Sequence, residues 1–355
     1  MPTIPADRLA RFVEALFVAG GVSTAHAHIV AESLVASNLR GYDSHGVMRV
    51  PSYLSWVKDG RVHPEARLQV VQESPSSLVG DGGWGLGQVV TQELMRRLIE
   101  KSATAGIVCG TLRQAAHIGR LGEYAETAAA AGRISMICAN THGAGQRVSP
   151  VGGKRPRLGT NPLCIGVPGG VEGPFILDFG TSATAEGKVR VKKIAGEKVP
   201  AGWLLDSEGK PTLDPNTLYG DPPGTILPMG GDQAYKGFGL AFMIEMLCGG
   251  LSGGPCSYPN PPAPFGNCAF FVVINPDMFA GTEHLLKEVS GLEQYVRSVP
   301  LIDGVQQVTL PGDPERRVVK QKQAQGIFLD AGNWQPLQKL AEELRVPLPE
   351  LQGEG

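Results

Sequence analysis

The sequence predicts an α/β protein, on three observations. Apolar runs of strand length alternate with helically periodic segments between residues 68 and 139. Residues 5–40 and 335–344, near the two ends, space their apolar side chains as helices do. From Arg155 onward the texture changes to short strands separated by long Gly/Pro loops.

Taken in order, residues 6–18 form a first amphipathic helix, and Ser23 is an N-cap for a second over 24–39. The segment 41–46, Gly-Tyr-Asp-Ser-His-Gly, breaks the helical pattern, which resumes over 50–58. Strands are expected at 68–72 and 77–79, then a Gly-rich turn and a helix over 88–101. A strand at 107–111, an Ala-rich helix over 121–131 and a strand at 134–139 follow. Further along come strands at 162–167 and 175–177, a mostly buried helix over 236–251 and an apolar strand at 269–274. Helices over 283–298 and 335–344 close the series. No internal repeat is present, and the four prolines within 259–264 mark a surface loop or lid.

The 355 residues suit about two domains. With 42% hydrophobic and 19% charged residues the chain is no disordered segment. Gly (48) and Pro (28) make up about a fifth of it, against ~12% on average, without any period. The 34 acidic and 32 basic residues nearly cancel, and without a basic block no nucleic-acid partner is expected. The first residues lack a basic-then-apolar layout, so no export signal is expected. The longest apolar stretch, 237–247, is interrupted by Glu245 and too short to span a bilayer. Six cysteines at 109, 138, 164, 248, 256 and 268 show no CxxC spacing. Cys109, Cys138 and Cys164 sit in apolar, strand-like runs and read as small buried thiols, and a reducing cytoplasm is expected.

Two motifs lack their context. Gly80-Asp-Gly82-Gly-Trp-Gly85 matches GxGxxG after a β-like run. The strand that follows, 107–111, ends Leu112-Arg113 without the carboxylate that reads a ribose, so a glycine turn at a tight bend is expected. Gly250-Leu-Ser252-Gly-Gly254 matches GxSxG but follows a helical run rather than a strand, so it reads as a helix end. The seven histidines give no HExxH and no ligand cluster, so no built-in metal is expected; His26 and His28 read as ordinary helix residues.

Chemistry concentrates in two places. Tyr42-Asp-Ser44-His45-Gly46-Val-Met-Arg49-Val-Pro-Ser-Tyr53 sets Ser, His, Arg and Tyr within twelve residues. If Arg49 lies one helical turn after His45, both face one pocket. Imidazole passes protons near neutral pH, and guanidinium holds a carboxylate bidentately. By itself the segment equally suits a capping His beside a surface Arg. Ala116-His117-Ile-Gly119-Arg120, between a strand and a helix, lies where α/β sites collect.

Six segments, SHGVMRVPSY, AAHIGRLGEYA, SPVGGKRPRLGTNPL, ILDFGTSATAEGKV, VPAGWLLDSEGKPTLDP and LPMGGDQAYKGFGLAF, occur in order. Together they resemble the type-2 malate/L-lactate dehydrogenase family over about residues 5–345. That family includes ureidoglycolate, sulfolactate and 2,3-diketogulonate oxidoreductases and the Δ1-piperideine-2-carboxylate/Δ1-pyrroline-2-carboxylate reductases. The resemblance implies a non-Rossmann, mixed-sheet α/β domain that binds NAD or NADP, packed on a helical domain built from both chain ends, usually as a homodimer. On this chain the helical, substrate-side part would be 1–70 plus about 300–355, and the NAD(P)-binding part about 71–299.

The same resemblance makes His45 the proton donor, with Ser44 and Asp178 polarising or orienting it. Arg49 and His117 would hold the substrate carboxylate and carbonyl, with Tyr53 on the substrate side. Cofactor contacts would fall on Phe179-Gly180-Thr181-Ser182, on Tyr235-Lys236 and on the turn Gly312-Asp313-Pro314. Hydroxyls and turn N–H groups suit phosphate and ribose oxygens, and Lys236 suits a phosphate. Two features depart from expectation: His142, where a less ionisable residue is expected near the nicotinamide, and the Pro-rich stretch 254–266.

The implied reaction is hydride transfer between nicotinamide and C2 of a small 2-oxo or 2-hydroxy carboxylate. A cyclic imine carboxylate presents the same groups and is the alternative. A non-redox lyase or isomerase using the same His/Arg pair is the alternative from another class; it predicts no change in nicotinamide absorbance. The cofactor is NAD or NADP: Arg190, Lys192 and Lys193 are the cations that would receive a 2′-phosphate.

Overall fold

The computed structural model describes residues 2–261 and 266–350, so part of the Pro-rich stretch lies outside the described residues. The helices are α1 (Ala6–Ala19), α2 (Thr24–Leu39), α3 (Val50–Lys58), α4 (Gly87–Ala105), α5 (Leu121–Ala130), α6 (Glu186–Ile194), α7 (Ala234–Glu245), α8 (Thr282–Arg297), α9 (Asp313–Gln325) and α10 (Ala331–Leu344). The strands are β1 (Thr3–Ile4), β2 (Gln69–Ser74), β3 (Ser77–Gly85), β4 (Ile107–Ala115), β5 (Ile134–Asn140), β6 (Pro162–Val167), β7 (Phe175–Gly180), β8 (Leu204–Leu205), β9 (Pro211–Thr212), β10 (Thr225–Ile226), β11 (Asn267–Ile274) and β12 (Ile327–Phe328).

In α1, Leu9, Phe12, Val13, Leu16 and Phe17 repeat at three- and four-residue spacing and are all buried. Their core also takes Val30 and Leu34 of α2, Val50 and Tyr53 of α3, and Trp334, Leu337 and Ala341 of α10. The two ends of the chain therefore share one core, and the short β1–β12 ladder joins them. Ser23 occupies the N-cap position of α2 without a side-chain cap bond; its N–H donates instead to Glu65 at 2.9 Å.

A second core lies against a seven-stranded sheet of order β2-β3-β4-β11-β5-β6-β7. Only β3 and β4 pair in parallel; the other neighbours are antiparallel. This is a mixed sheet and not a doubly wound parallel one. β11 reads Asn-Cys-Ala-Phe-Phe-Val-Val-Ile because both its faces are covered. Ala269, Phe271 and Val273 enter the core beneath α4 and α5, whereas Cys268 packs with Cys138, Ile244 and Cys248 under α7. Each fully buried large side chain contributes about 1.5–3 kcal/mol.

Three local expectations need correction. Gly80–Gly85 lies inside β3 rather than at a turn, at an irregularity in its pairing with β4; a Cβ on Gly82 would stand 2.8 Å from the Gln114 carbonyl. Its glycines admit neighbouring backbone. Asp313-Pro314 is no turn but the first turn of α9, with Gly312 left-handed at its N-cap. That helix and α6 leave little periodic signal, because charged and amide side chains outnumber apolar ones in both; they bury only Asp313 and Val189 respectively. Ser252 of the GxSxG match follows a π-helical turn at Met246–Gly250 and bonds the Gly249 carbonyl, as a helix end does.

Candidate active site

His45 stands on a 3-10 turn, Asp43–His45, and Arg49 on a second, Val47–Arg49, so no continuous helical turn links them. Asn38 of α2 fixes the bend: its Oδ1 accepts the Val47 N–H at 2.8 Å and its Nδ2 donates to Asp43 at 2.6 Å. Residue 46 must be glycine, since a Cβ would lie 2.2 Å from Asn38 Oδ1. Across the bend Arg49 Nε donates to the Ser44 carbonyl at 2.7 Å, and Ser44 Oγ lies 2.9 Å from His45 Nδ1. Arg49 forms no ion pair among the described residues, so its outer nitrogens remain available to an anion.

His117 follows β4, and its ring centroid is 5.3 Å from that of His45. Tyr53, buried in α3, sits behind it with the hydroxyl 2.6 Å from His117 Nδ1. Burial, then the Arg49 and Arg120 charges, push His45 down to about 4. Burial, Arg49 and His45 hold His117 well below the usual imidazole range. Both rings are therefore neutral near pH 7 beside one cation.

Asp178 lies inside β7, opposite Cys164 of β6, at a different wall. Its carboxylate accepts the Gly122 N–H at 2.7 Å, and the Nδ1 bond of His45 goes to Ser44, not to Asp178. Burial raises Asp178 to about 6, while the Gly122 N–H and then Arg120 pull it back. Arg120 is the link between the two places, since its charge acts on both His45 and Asp178. It is 3% exposed, bonds Glu126 at 2.9 Å and lies 5.6 Å from the Tyr42 ring centroid.

Asp178 and Arg120 line a cavity of about 730 Å³ together with Tyr42, Glu126, Gly312 and Glu315. Gly169, Gly170 and Gly173, all left-handed, form part of its wall. Glu315 accepts the Tyr42 hydroxyl at 2.9 Å. Asp313 does not open into the cavity: Arg297 and Arg316 hold it, and its carboxyl is driven far below the usual range against the opposing effect of burial. Every cation in the wall has a carboxylate partner, Arg40 and Arg120 on Glu126, Arg316 on Asp313 and Lys320 on Glu172.

Beyond Asp178 the chain runs through Phe179 and Gly180 to Thr181, whose hydroxyl donates to the carbonyls of Thr160 and Asn161. Ser182 Oγ donates to the Thr184 carbonyl. These hydroxyls are spent on the backbone. Bonds from Met229 to Thr181 and from Ala183 to Leu227 bring this stretch beside the approach to α7, where Tyr235 and Lys236 are exposed. α6 packs on the His45 turn, a Cβ on its Gly187 falling 3.1 Å from Ser44 Cβ.

His142 stands at φ +52 with its ring edge-on to Trp84 at 4.7 Å, and burial lowers its pKa. His26 bonds the Pro64 carbonyl, and His28 pairs with Glu14. All six cysteines are free. Among the described residues no group of His, Cys, Asp and Glu is arranged to hold a metal ion, and no helix is long and apolar enough to cross a membrane. Asn38, Gln88 and Glu126 escaped the sequence reading, and Arg120, quoted there in the His117 motif, was given no role.

The profile of the malate/L-lactate dehydrogenase family matches residues 4–338. Hydroxycarboxylate dehydrogenase B of Escherichia coli O157:H7 is 36% identical over 351 residues, covering 98% of this chain and 96% of that protein. A solved putative malate/lactate dehydrogenase from E. coli superposes with a TM-score of 0.91 at 35% identity, covering 98% of this chain and 96% of that one. The Δ1-piperideine-2-carboxylate reductase from Pseudomonas syringae pv. tomato superposes at 0.83 with 29% identity, covering 96% of this chain and 100% of that one.

Proposed function

The chain belongs to the malate/L-lactate dehydrogenase family, an oxidoreductase, and from that premise we propose that it moves hydride between a nicotinamide cofactor and C2 of a small 2-oxo/2-hydroxy carboxylate. The observation that carries this reading is Arg49, a cation without an ion pair among the described residues, standing beside two neutral imidazoles. A substrate carboxylate takes the outer nitrogens of Arg49 as a fork. His117 donates to the oxygen on C2, and Tyr53 acts through His117. His45, oriented by Ser44, gives that oxygen its proton in reduction and removes it in oxidation.

Charge makes the step conditional on binding. Burial, and then the charges of Arg49 and Arg120, hold His45 neutral. A bound carboxylate cancels that charge and raises the affinity of His45 for a proton. Reduction is thus favoured only with substrate in place.

When bound, the cofactor supplies or accepts the hydride. The 730 Å³ cavity fits its nucleotide half: glycines at 169, 170, 173 and 312 allow close backbone approach, and the buried Nε atoms of Arg120 and Arg316 lack partners. Asp178 acts there through Arg120, and Phe179–Ser182, Tyr235-Lys236 and Gly312 would line the path of the cofactor, whereas Asp313, held by Arg297 and Arg316, would act only by fixing the turn that carries Gly312. Each cation of the cavity wall is already paired, and Arg190, Lys192 and Lys193 lie on α6 outside that wall, which favours NAD over NADP.

The domain division belongs to the same reading, 1–70 with about 300–355 on the substrate side and about 71–299 on the cofactor side. So does a homodimer, for which the exposed Tyr235, Phe242, Met243 and Met246 of α7 and its extension offer an apolar face. Six free thiols support a cytoplasmic setting.

The test is reduced-nicotinamide absorbance with NADH and NADPH, each against pyruvate, oxaloacetate, 2,3-diketogulonate and the two cyclic imines. Oxidation of NADH by an oxo acid is expected. Turnover of an imine alone would establish the second reading, which the likeness to the piperideine-2-carboxylate reductase favours. Silence across the panel, with no binding of either cofactor, would refute both.

A further inference from the structure

We propose that Gln88 and Tyr53 lock His117 as a neutral imidazole with its proton on Nε2, leaving His45 as the only ring of the pair that exchanges a proton. The inference rests on the roles given above to His45 and His117, but the lock itself is a matter of hydrogen-bond polarity. Tyr53 Oη lies 2.6 Å from His117 Nδ1 and 3.2 Å from Gln88 Nε2. The amide nitrogen can only donate, so it occupies an acceptor site of the hydroxyl. The single hydroxyl proton then goes to the nearer acceptor, Nδ1, rather than to the His117 carbonyl at 3.4 Å. A neutral imidazole that accepts at Nδ1 carries its proton at Nε2, the nitrogen left for the substrate.

The parts are rigidly seated. Gln88 is fully buried in the first turn of α4, and its Oε1 is buried without a hydrogen-bond partner among the described residues. That turn rests on the His117 loop so closely that a Cβ on Gly87 would stand 2.3 Å from the His117 carbonyl. Gly119, at φ +76, leaves Gln88 Nε2 its space. The Tyr53 ring stacks on Trp56 at 5.5 Å and touches Phe17 at 6.4 Å. The charged and titratable groups that act on the pair are Arg49, His45, Glu123 and Tyr124. None of them offers Nδ1 another donor. Burial keeps the Tyr53 proton on its oxygen, pushing the phenol to about 12.

The lock answers a chemical need. Two imidazoles with centroids 5.3 Å apart otherwise compete for one proton, and a charge on His117 would oppose protonation of His45. A fixed neutral donor polarises a carbonyl without entering the proton balance. Gln88 and Tyr53 are positioning residues in this scheme, acting only through His117.

The direct test is long-range ¹H–¹⁵N correlation on the full chain labelled at histidine, with His117→Gln assigning the resonance. Protonated Nε2 and bare Nδ1 are expected from pH 6 to 8, without substrate or cofactor. A proton on Nδ1, or exchange between the two nitrogens, would overturn the lock. Tyr53→Phe keeps the ring packing. It should populate both tautomers, shift the acid limb of kcat/KM to higher pH and lower kcat/KM about tenfold at neutral pH, as for loss of one hydrogen bond to a reacting group. Gln88→Leu should do the same more weakly. Reduced kcat/KM with the wild-type pH profile and tautomer intact would mean a packing role and also overturn the proposal. A locked tautomer in a protein that oxidises no reduced nicotinamide would strike the functional reading instead and leave the lock standing.

Discussion

Around His45 the chain leaves a cation without an ion pair beside two neutral rings, whereas in the cavity beside Asp178 each cation is matched to a carboxylate. The first arrangement is unsettled until an anion arrives. The second is settled beforehand, and suits a ligand held by polar contacts whose charge near the wall does not change. Arg120, felt by both His45 and Asp178, is where the two meet. A redox site needs both kinds of wall, one that moves a proton and one that does not.

Removing the proton carrier should separate the two regions most sharply. His45→Ala is expected to lower turnover about 10²–10⁴-fold while NADH binding, read by fluorescence, stays within twofold or so. An equal loss of cofactor affinity would erase the distinction. Next in size, Arg49→Lys replaces a fork by a point charge and should raise the substrate KM roughly tenfold; an unaltered KM would remove Arg49 from the substrate.

Asp178 provides a stability test on the settled side. Its folded-state pKa, about 6, lies above the ordinary carboxylate value. Its contribution to stability is therefore present below about pH 4 and is lost as pH rises through about 6. Asp178→Asn should flatten that decline, by about 1–2 kcal/mol because the carboxylate is open on its cavity side. Denaturant titrations at pH 4.5 and 7 measure it, and a mutant curve parallel to the wild type would count against the assignment. The smallest effect is expected from Glu172→Gln, which frees Lys320 in an exposed pair. Stability should be unchanged within the error of a denaturant titration, while NADPH binding tightens severalfold and NADH binding does not.

The first region was largely legible in the sequence because its chemistry is contiguous: Ser44, His45, Arg49 and Tyr53 lie within ten positions. Even there the expected helical turn gave way to a bend held by Asn38, a residue on another helix. The settled region was hardly legible. Its walls come from the turn after α2, from α5, from the glycine-rich loop before β7, from β7 and from α9, and the pairing of Arg40 and Arg120 on one Glu126 follows from no local pattern. Helices α6 and α9 were missed because charged and amide side chains outnumber apolar ones in both, which leaves no apolar stripe to read.

By itself the sequence determined the α/β character, the apolar periods of α1 and α10, the doubly buried β11 and the order of the motifs. Those follow from the hydrophobic effect, which depends on composition and spacing and needs no direction. Only the tertiary structure decided that β11 lies between β4 and β5, that Gln88 reaches Tyr53, and that Asp178 faces Gly122 rather than His45. Hydrogen bonds and ion pairs depend on tenths of an ångström and on angle. Those are set when distant segments meet, so the partner of a buried polar group is fixed by the fold and not by its neighbours in sequence.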